Sequence, residues 1–207
     1  MRRAEPNRAH YALAELEQLG AISGVITQNV DGLHARAGSS NLLALHGDLS
    51  RIVCLDCGRD EGRESLDARL DAANPGYLDR LEGRDLRVNP DGDVELDDRY
   101  IRDFQMVPCL NCGSTRLKPD VVYFGESVPA ERKARKDAML AECSALLVVG
   151  SSVAVMSSYK IVLEALRAGK PVAVINGGPG RADAKATYLW RSGVGEALEL
   201  MLDAVDV

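Results

Sequence analysis

The sequence lacks any long uninterrupted apolar segment. Of its 207 residues, 46% are hydrophobic, but no apolar run reaches the ~18 residues that a membrane-spanning helix requires. The first 20 residues carry several charges and have no apolar core of the kind that a secretory signal needs. We therefore expect no membrane association and a cytoplasmic location, with a mitochondrial location possible if a longer N-terminus exists.

The chain has little positive charge in its middle part. The net charge is −6, and residues 56–103 contain 15 acidic and 8 basic side chains. An acidic segment repels the phosphate backbone of nucleic acids, so we predict no nucleic-acid partner. A solvated acidic face is the simpler interpretation of this segment, and attraction of lysine-rich partners is the alternative.

Cysteine is scarce, and the five residues of this type are too few for a disulfide framework in a chain of this length. Four of them form two pairs with the same spacing, Cys54–Cys57 and Cys109–Cys112, each followed by a glycine. Two such turns complete a tetrahedral four-thiolate site, which suits zinc and leaves no position for water. We predict one structural Zn²⁺ ion at these four residues. The fifth, Cys143, borders an apolar run and is expected to be a buried, unreactive thiol.

Short apolar runs alternate with helical patterns along most of the chain. Strands are predicted within residues 21–27, 42–49, 121–124, 145–149 and 171–175, and helices within residues 7–19, 130–142, 156–168 and 195–205. This alternation predicts an α/β fold with a doubly wound, parallel, Rossmann-like sheet.

Residues 50–118 have a different character, because charge is dense and turn residues recur, as in Asn89-Pro90-Asp91-Gly92. We interpret them as a small inserted zinc-binding module that is held by metal rather than by a large core. The predicted domains are therefore 1–49 together with 119–207, and 50–118.

Polar and glycine-rich residues follow three of the predicted strands. These segments are Gln28-Asn29, Gly150-Ser151-Ser152 and Asn176-Gly177-Gly178. Ligands of open α/β sheets bind at the carboxyl ends of the strands, where small residues let the backbone approach phosphate groups. Each segment alone is also ordinary turn chemistry, but the three together favour a nucleotide site.

Three side chains near the first of these segments could carry chemistry. His46 lies between Leu45 and Gly47; its position alone favours a hydrogen-bonded core histidine, whereas its ordinary pKa of about 6.5 suits a general base. Asn29 and Asp31 would face the same side of an extended backbone and suit a carboxamide ligand such as nicotinamide. A hydrogen-bonded turn at Asp31-Gly32 is the alternative.

Taken together, these residues resemble the sirtuins, the NAD-dependent protein-lysine deacylases. The segment Thr27-Gln28-Asn29-Val30-Asp31-Gly32-Leu33-His34 looks like the family's TQNxDxLH motif, and Leu45-His46-Gly47 looks like its catalytic histidine motif. The cysteine pairs match its zinc module, Val121–Glu126 its substrate-pairing strand, and Gly150–Ser152 and Ile175-Asn176 its later NAD contacts. The resemblance is greatest to the class II branch.

The resemblance implies an enzyme that transfers an acyl group from protein lysine to ADP-ribose and releases nicotinamide, with His46 as general base. The NAD-binding residues that it implies are Gln28, Asn29, Asp31, Gly150, Ser151, Ser152, Asn176, Gly177, Gly178 and Val194. Phe124, Gly125 and Glu126 are implied to pair with the substrate backbone as an added strand. The implied partners are acyl-lysine proteins or peptides.

The family pattern opens with a Gly-Ala-Gly-x-Ser loop and an Ile-Pro-Asp-x-Arg segment, and neither occurs in this sequence. We therefore expect an N-terminally truncated chain whose sheet lacks its first strand. Two alternative functions stay open, and this departure favours the first of them. One is a catalytically inactive, zinc-stabilised peptide-binding fragment, and the other is mono-ADP-ribosyl transfer on the same scaffold.

Overall fold

The computed structural model describes residues 4–81 and 98–205. Within these residues the chain forms two compact units. The first is built from the chain up to Asp48 and from Val121 onward, and the second runs from Leu49 to Asp120. The turn predicted at Asn89-Pro90-Asp91-Gly92 lies outside the described residues.

The described elements are short. The strands are β1 (Val25–Thr27), β2 (Leu42–Ala44), β3 (Gly47–Cys54), β4 (Asp60–Gly62), β5 (Leu117–Val121), β6 (Leu146–Val149), β7 (Val172–Ile175) and β8 (Tyr188–Trp190). The helices are α1 (Arg8–Gln18), α2 (Leu33–Arg36), α3 (Arg63–Ala73), α4 (Asp98–Arg102), α5 (Ala130–Glu142), α6 (Met156–Arg167) and α7 (Val194–Val205). No helix within the described ranges has both the length and the apolarity that crossing a membrane requires.

The described strand pairs of the first unit are parallel. β1 pairs with β2, with Val25 opposite Leu42. A second sheet has the order β6-β7-β8, with Leu146 opposite Val172 and Ala173 opposite Tyr188. Helices separate β1 from β2 and β6 from β7 in sequence, as is usual for parallel pairs. The predicted α/β architecture with parallel sheets is therefore confirmed.

Two apolar clusters hold the first unit together. The larger one packs α5 and α6 against β6 and β7 and includes Val148, Val162 and Val174. The smaller one joins α1 to α7 through Ala12, Leu16, Leu198 and Leu202. Full burial of a Leu or Val side chain contributes about 1.5–3 kcal/mol, so these few residues fix the positions of the helices.

Helix α1 shows how local sequence sets an element's ends. Asn7 and His10 form a capping box, in which each side chain bonds the other residue's backbone N–H. At the other end, Gly20 adopts a φ of +73°, and the N–H groups of Ala21 and Ile22 both donate to Leu16 O. These bonds tie residues 21–22 to the helix end, which is why the strand predicted from residue 21 begins only at Val25.

The second unit contains a small three-stranded sheet. Its strand order is β4-β3-β5, and β3 and β4 are antiparallel, with Arg51 opposite Gly62. Its described core is the cluster Ile52, Leu66 and Val107, with a few partly buried neighbours. This apolar content is slight compared with that of the first unit.

The strand predicted at 121–124 is displaced toward the N-terminus, because β5 already ends at Val121. A turn stops the strand there: Glu126 N–H donates to Tyr123 O over 3.0 Å, and Gly125 has a φ of +87°. Strand β8 was not predicted, because all three of its residues are exposed and show no alternation.

Candidate functional site

His46 lies in the two-residue link between β2 and β3, at the carboxyl end of β2. Its Nε2 is 2.8 Å from the hydroxyl oxygen of Ser157, in the first turn of α6. Its backbone carbonyl accepts from Val122 N–H over 2.8 Å. The half-buried ring therefore has a fixed position between β2, α6 and the segment after β5.

The surroundings of His46 lower its pKa below the ordinary value of 6.5. Burial is the main cause, a hydrogen bond to the backbone carbonyl of Gln28 opposes it, and the charge of Arg132 acts in the same direction as burial. Because a carbonyl only accepts, the ring nitrogen that bonds Gln28 carries a hydrogen, and in the tautomer with that hydrogen on Nδ1 the lone pair of Nε2 faces Ser157 Oγ. The ring is thus neutral near pH 7 and has an acceptor nitrogen, as a general base requires.

Gln28 and Ser151 bring together the ends of β1 and β6. The side-chain amide of Gln28 donates to Ser151 Oγ over 2.8 Å, and the backbone N–H of Val153 donates to the same oxygen over 3.1 Å. These two donors occupy both lone pairs of the hydroxyl. The O–H group of Ser151 is therefore left to donate to a further acceptor, such as a ligand oxygen.

The loop after β6 is held in an unusual conformation. Val153 is buried and has a φ of +42°, which is rare for a β-branched residue and characteristic of functional sites. Gly150 has a φ of +59°, and a Cβ there would lie 3.2 Å from Val194 Cγ2. Glycine at 150 thus allows Val194, the first residue of α7, to approach the end of β6.

The loop after β7 is fixed by two residues that the sequence did not single out. Arg191 donates to the carbonyls of Asn176 and Gly178, and its guanidinium pairs with Asp183 at 2.5 Å. A hydrogen bond from Gly180 N–H, followed by the Arg191 contact, lowers the pKa of the Asp183 carboxyl. These pairings span 8 to 15 residues across a loop and have no periodic signal in the sequence.

The loops after β6 and β7 are directly connected, because Arg181 N–H donates to Ser152 O over 2.8 Å. Asn176 lies within its own loop, where its side-chain amide donates to Gly178 O over 2.8 Å. Gly177 and Gly178 are exposed. The structure therefore brings together the three strand-end segments that the sequence predicted to share one edge.

Asn29 and Asp31 do not lie on an extended strand, because β1 ends at Thr27. The Asp31 carboxylate accepts from Leu33 N–H over 3.0 Å, so the hydrogen-bonded turn is the arrangement observed. Asn29 is exposed, and its N–H donates to Thr27 Oγ1. Both residues nevertheless line a small concavity, which Gly47 also borders.

Phe124, Gly125 and Glu126 form an exposed turn beside the histidine rather than a strand. The Phe124 side chain is 99% exposed. Glu126 holds the turn through both its N–H and its carboxylate, which contact the backbone of Tyr123. The Val122 N–H, just before this turn, donates to the backbone carbonyl of His46 and connects the segment to the histidine.

The four paired cysteines converge in the second unit. The Sγ atoms are 3.6 Å apart for Cys54 and Cys112 and 3.7 Å apart for Cys57 and Cys109, and all four lie within 4.8 Å of one another. A tetrahedral zinc site with Zn–S bonds of about 2.3 Å has sulfur atoms about 3.8 Å apart. The four thiols therefore fit one zinc ion.

The backbone explains why each pair presents its sulfurs to one point. Gly58 N–H donates to Cys54 O and Gly113 N–H donates to Cys109 O, at 2.9 and 3.0 Å. Both glycines have positive φ, +71° and +75°, so each closes a turn that a side chain would strain. The repeated CxxC-Gly sequence is thus a repeated turn.

Without a bound cation, the thiols of Cys57 and Cys112 have very different pKa values. The Arg59 backbone N–H is the main cause that lowers the pKa of Cys57 to about 6. The Ser114 backbone N–H favours the Cys112 thiolate, but Cys57, burial and the other two cysteines together outweigh it, and the pKa of Cys112 rises to about 12. Four thiolates at this distance repel one another, and a divalent cation removes the repulsion.

Cys143 lies elsewhere, and it is half-buried rather than buried as expected.

Comparison with known proteins places the chain in a family. The sequence pattern of the Sir2 family matches residues 1–157. The chain therefore belongs to the Sir2 family, the sirtuins.

Individual relatives are found among bacterial and human sirtuins. The chain is 62% identical over 204 residues to NAD-dependent protein deacetylase 1 of Corynebacterium efficiens, covering 99% of this chain and 73% of that protein. It is 42% identical over 197 residues to the mitochondrial NAD-dependent protein lipoamidase sirtuin-4 of Homo sapiens, covering 95% of this chain and 61% of that protein.

Solved structures give the same fold. A Sir2 protein bound to an acetylated peptide superimposes with a TM-score of 0.72 and 28% identity, covering 98% of this chain and 71% of that one. Another Sir2 enzyme has a TM-score of 0.72 and 32% identity, covering 98% and 69%. The fold is thus the Sir2-like α/β fold with parallel strands and a four-cysteine cluster.

Proposed function

We propose that the protein is an NAD-dependent protein-lysine deacylase that acts as a deacetylase. The observation that carries this proposal is the His46 ring, which is held with an acceptor nitrogen at the edge where the strand ends meet. The identity of 62% to an NAD-dependent protein deacetylase supports it.

We propose that NAD binds at the strand ends. When bound, it supplies the ADP-ribose that accepts the acyl group, with nicotinamide as the leaving group. We assign the nicotinamide and ribose side to Gln28, Asn29 and Asp31, which surround the end of β1. The adenosine side is assigned to Gly150, Ser151, Ser152, Asn176, Gly177, Gly178 and Val194. The O–H of Ser151, which can donate to a ligand oxygen, and the close approach of Val194 to Gly150 support this assignment.

His46 is the proposed general base, and it takes a proton at Nε2. Burial favours the neutral ring, and we assign its hydrogen to Nδ1, with the Gln28 carbonyl as the acceptor. The neutral His46 ring thus presents the lone pair of Nε2 to a hydroxyl group, and no proton has to leave Nε2 first.

Acyl-lysine peptides are the proposed substrates, and Phe124, Gly125 and Glu126 are the proposed contacts. The backbone link from His46 through Val122 puts this turn next to the base. The exposed Phe124 ring offers apolar surface to a peptide. An added strand at this segment would place main-chain hydrogen bonds beside the reacting lysine.

The structural zinc ion is proposed at Cys54, Cys57, Cys109 and Cys112. We propose residues 1–49 with 119–207 as the NAD-binding domain and residues 50–118 as the zinc-binding module. Thiolate ligands require a reducing compartment, which supports a cytoplasmic location. The acidic balance of residues 56–103 supports a peptide rather than a nucleic acid as partner.

We further propose that the two parallel sheets of the first unit are parts of one doubly wound sheet that lacks a strand between β1 and β6. Ile26, Leu146 and Leu147, on these two strands, are only half-buried. The side chains of Gln28 and Ser151 already join the ends of the same strands.

The product distinguishes this function from the alternatives. The chain, an acetyl-lysine peptide and NAD are incubated together, and the products are separated by mass spectrometry. We expect deacetylated peptide and acetylated ADP-ribose in equal amounts. Transfer of ADP-ribose to protein without loss of acetyl groups would contradict the proposal.

A further inference from the structure

We infer that Ser157 and His46 form a nucleophile–base pair that hydrolyses small activated acyl esters without NAD. This activity is separate from the proposed deacylase reaction, although both use the same imidazole. The substrate class is a carboxylic ester with a short acyl chain and an acidic leaving group.

The geometry of the pair is that of an activated serine. Ser157 Oγ lies 2.8 Å from His46 Nε2, within the reach of about 2.6–3.2 Å that defines a nucleophile and its base. The residues are 111 positions apart in sequence, so the fold alone creates the contact. Both are half-buried rather than sealed from solvent.

A third group orients the base, as in serine hydrolases. We assign the backbone carbonyl of Gln28 as the acceptor of the Nδ1 hydrogen of His46, because Nε2 lies against Ser157 Oγ. This bond selects the tautomer with a lone pair on Nε2, so the Ser157 O–H donates to the ring. A neutral carbonyl stabilises the imidazolium less than a carboxylate does, so we expect activated esters to react and amides not to.

The reaction needs only water as a second reactant. Ser157 Oγ bonds to the ester carbonyl carbon as its proton moves to His46 Nε2. The C–O bond to the alcohol then breaks, and the alcohol oxygen takes that proton. A water molecule attacks the acyl-serine, gives a proton to Nε2, and the carboxylic acid leaves as the proton returns to Ser157 Oγ. The enzyme is unchanged, and one ester plus one water becomes one acid plus one alcohol.

The surroundings of Ser157 suit a small acyl group. Val155 and Met156, the two residues before it, are 46% and 44% exposed and offer apolar surface. The next residue, Ser158, is 4% exposed, and its hydroxyl donates to Val155 O over 2.9 Å. Ser158 is therefore a matched control, because it shares the helix turn with Ser157 but does not contact His46.

The test uses the 207-residue chain with p-nitrophenyl acetate and no NAD, together with labelling by a fluorophosphonate probe. We expect p-nitrophenol release, and label on Ser157. Ser157→Ala and His46→Ala should each reduce the rate by about 10²-fold, the scale of general-base catalysis. Ser158→Ala should keep both the rate and the label.

Two results overturn the inference. One is an unchanged rate in Ser157→Ala, which would make the imidazole itself the nucleophile. The other is labelling of Ser157 no faster in the native protein than in the denatured one. If Ser157→Ala does not fold, Ser157→Cys replaces it, and its iodoacetamide alkylation must slow when His46 is changed to Ala. Because NAD is absent throughout, a failure here leaves NAD-dependent deacetylation intact, and loss of deacetylation leaves this result standing.

Discussion

The side-chain amide of Gln28 donates to the hydroxyl of Ser151 over 2.8 Å and joins residues 123 positions apart in the sequence. The bond connects the end of β1 to the end of β6, and no other part of these two strands is paired with the other in the described sheets. It therefore contributes to holding the proposed NAD site in shape.

We predict that Gln28 and Ser151 are energetically coupled. Unfolding by urea of the wild type, Gln28→Leu, Ser151→Ala and the double variant should give a coupling free energy of about 0.5–1.5 kcal/mol, the net contribution of one hydrogen bond. Gln18→Leu, at an exposed position in α1, is the matched control. A coupling no larger than that of Gln18 with Ser151 would show that the bond does not stabilise the site.

The cysteine cluster predicts one zinc ion per chain. Cys112→Ser should bind less than one equivalent of zinc and should unfold at a lower temperature, because structural zinc contributes about 10–16 kcal/mol of binding free energy in small modules. Metal analysis and thermal unfolding are the measurements. Cys143→Ser should keep full zinc content, since Cys143 lies outside the cluster; equal zinc loss in both variants would refute the assignment.

His34 makes the stability of the first unit depend on pH. Burial, together with the charge of His10, lowers the pKa of His34 despite the opposing charge of Asp31, and its Nδ1 has no partner among the described residues. A lowered pKa means that the unfolded chain binds the proton more tightly than the folded chain does. The contribution of His34 to the free energy of unfolding is therefore fully present above pH 6.5 and is lost as the pH falls through the pKa of His34 in the folded state.

His34→Gln should therefore reduce the loss of stability between neutral and acidic pH. Urea unfolding of both proteins at several pH values measures it. His46 also has a lowered pKa, so part of the decline should remain. Identical pH profiles for the variant and the wild type would contradict the assignment.

Lys136 has a buried charged side chain that two neighbouring carboxylates stabilise. Its side chain is mostly buried in α5 and pairs with Glu164 on α6 and with Asp137. Burial disfavours the charge, but both carboxylates outweigh it and raise the pKa of Lys136. Lys136→Met should destabilise by about 1–3 kcal/mol, because Glu164 loses its partner. Exposed Lys133→Met is the control, and equal effects of the two changes would argue against the ion pair.

Local patterns in the sequence predicted local structure well. The two CxxC-Gly segments contain their own turns, and α5 occupies the predicted residues 130–142 because its helical periodicity is local. Contacts between distant segments left no such signal. Ser157 is one of four serines between residues 151 and 158, and only the fold shows that it touches His46. Likewise, the Tyr123–Glu126 turn that shortens β5 depends on a side chain beyond the strand.

The most direct test of the central claim is nicotinamide release from NAD by the 207-residue chain, measured with and without an acetyl-lysine peptide. We predict release only with the peptide, at one nicotinamide per acetyl group removed. Release should fall by about 10²–10⁴-fold in His46→Ala, the range for loss of a general base, and should persist in His10→Ala. Absence of peptide-dependent release, or equal release in His46→Ala and the wild type, would contradict the account.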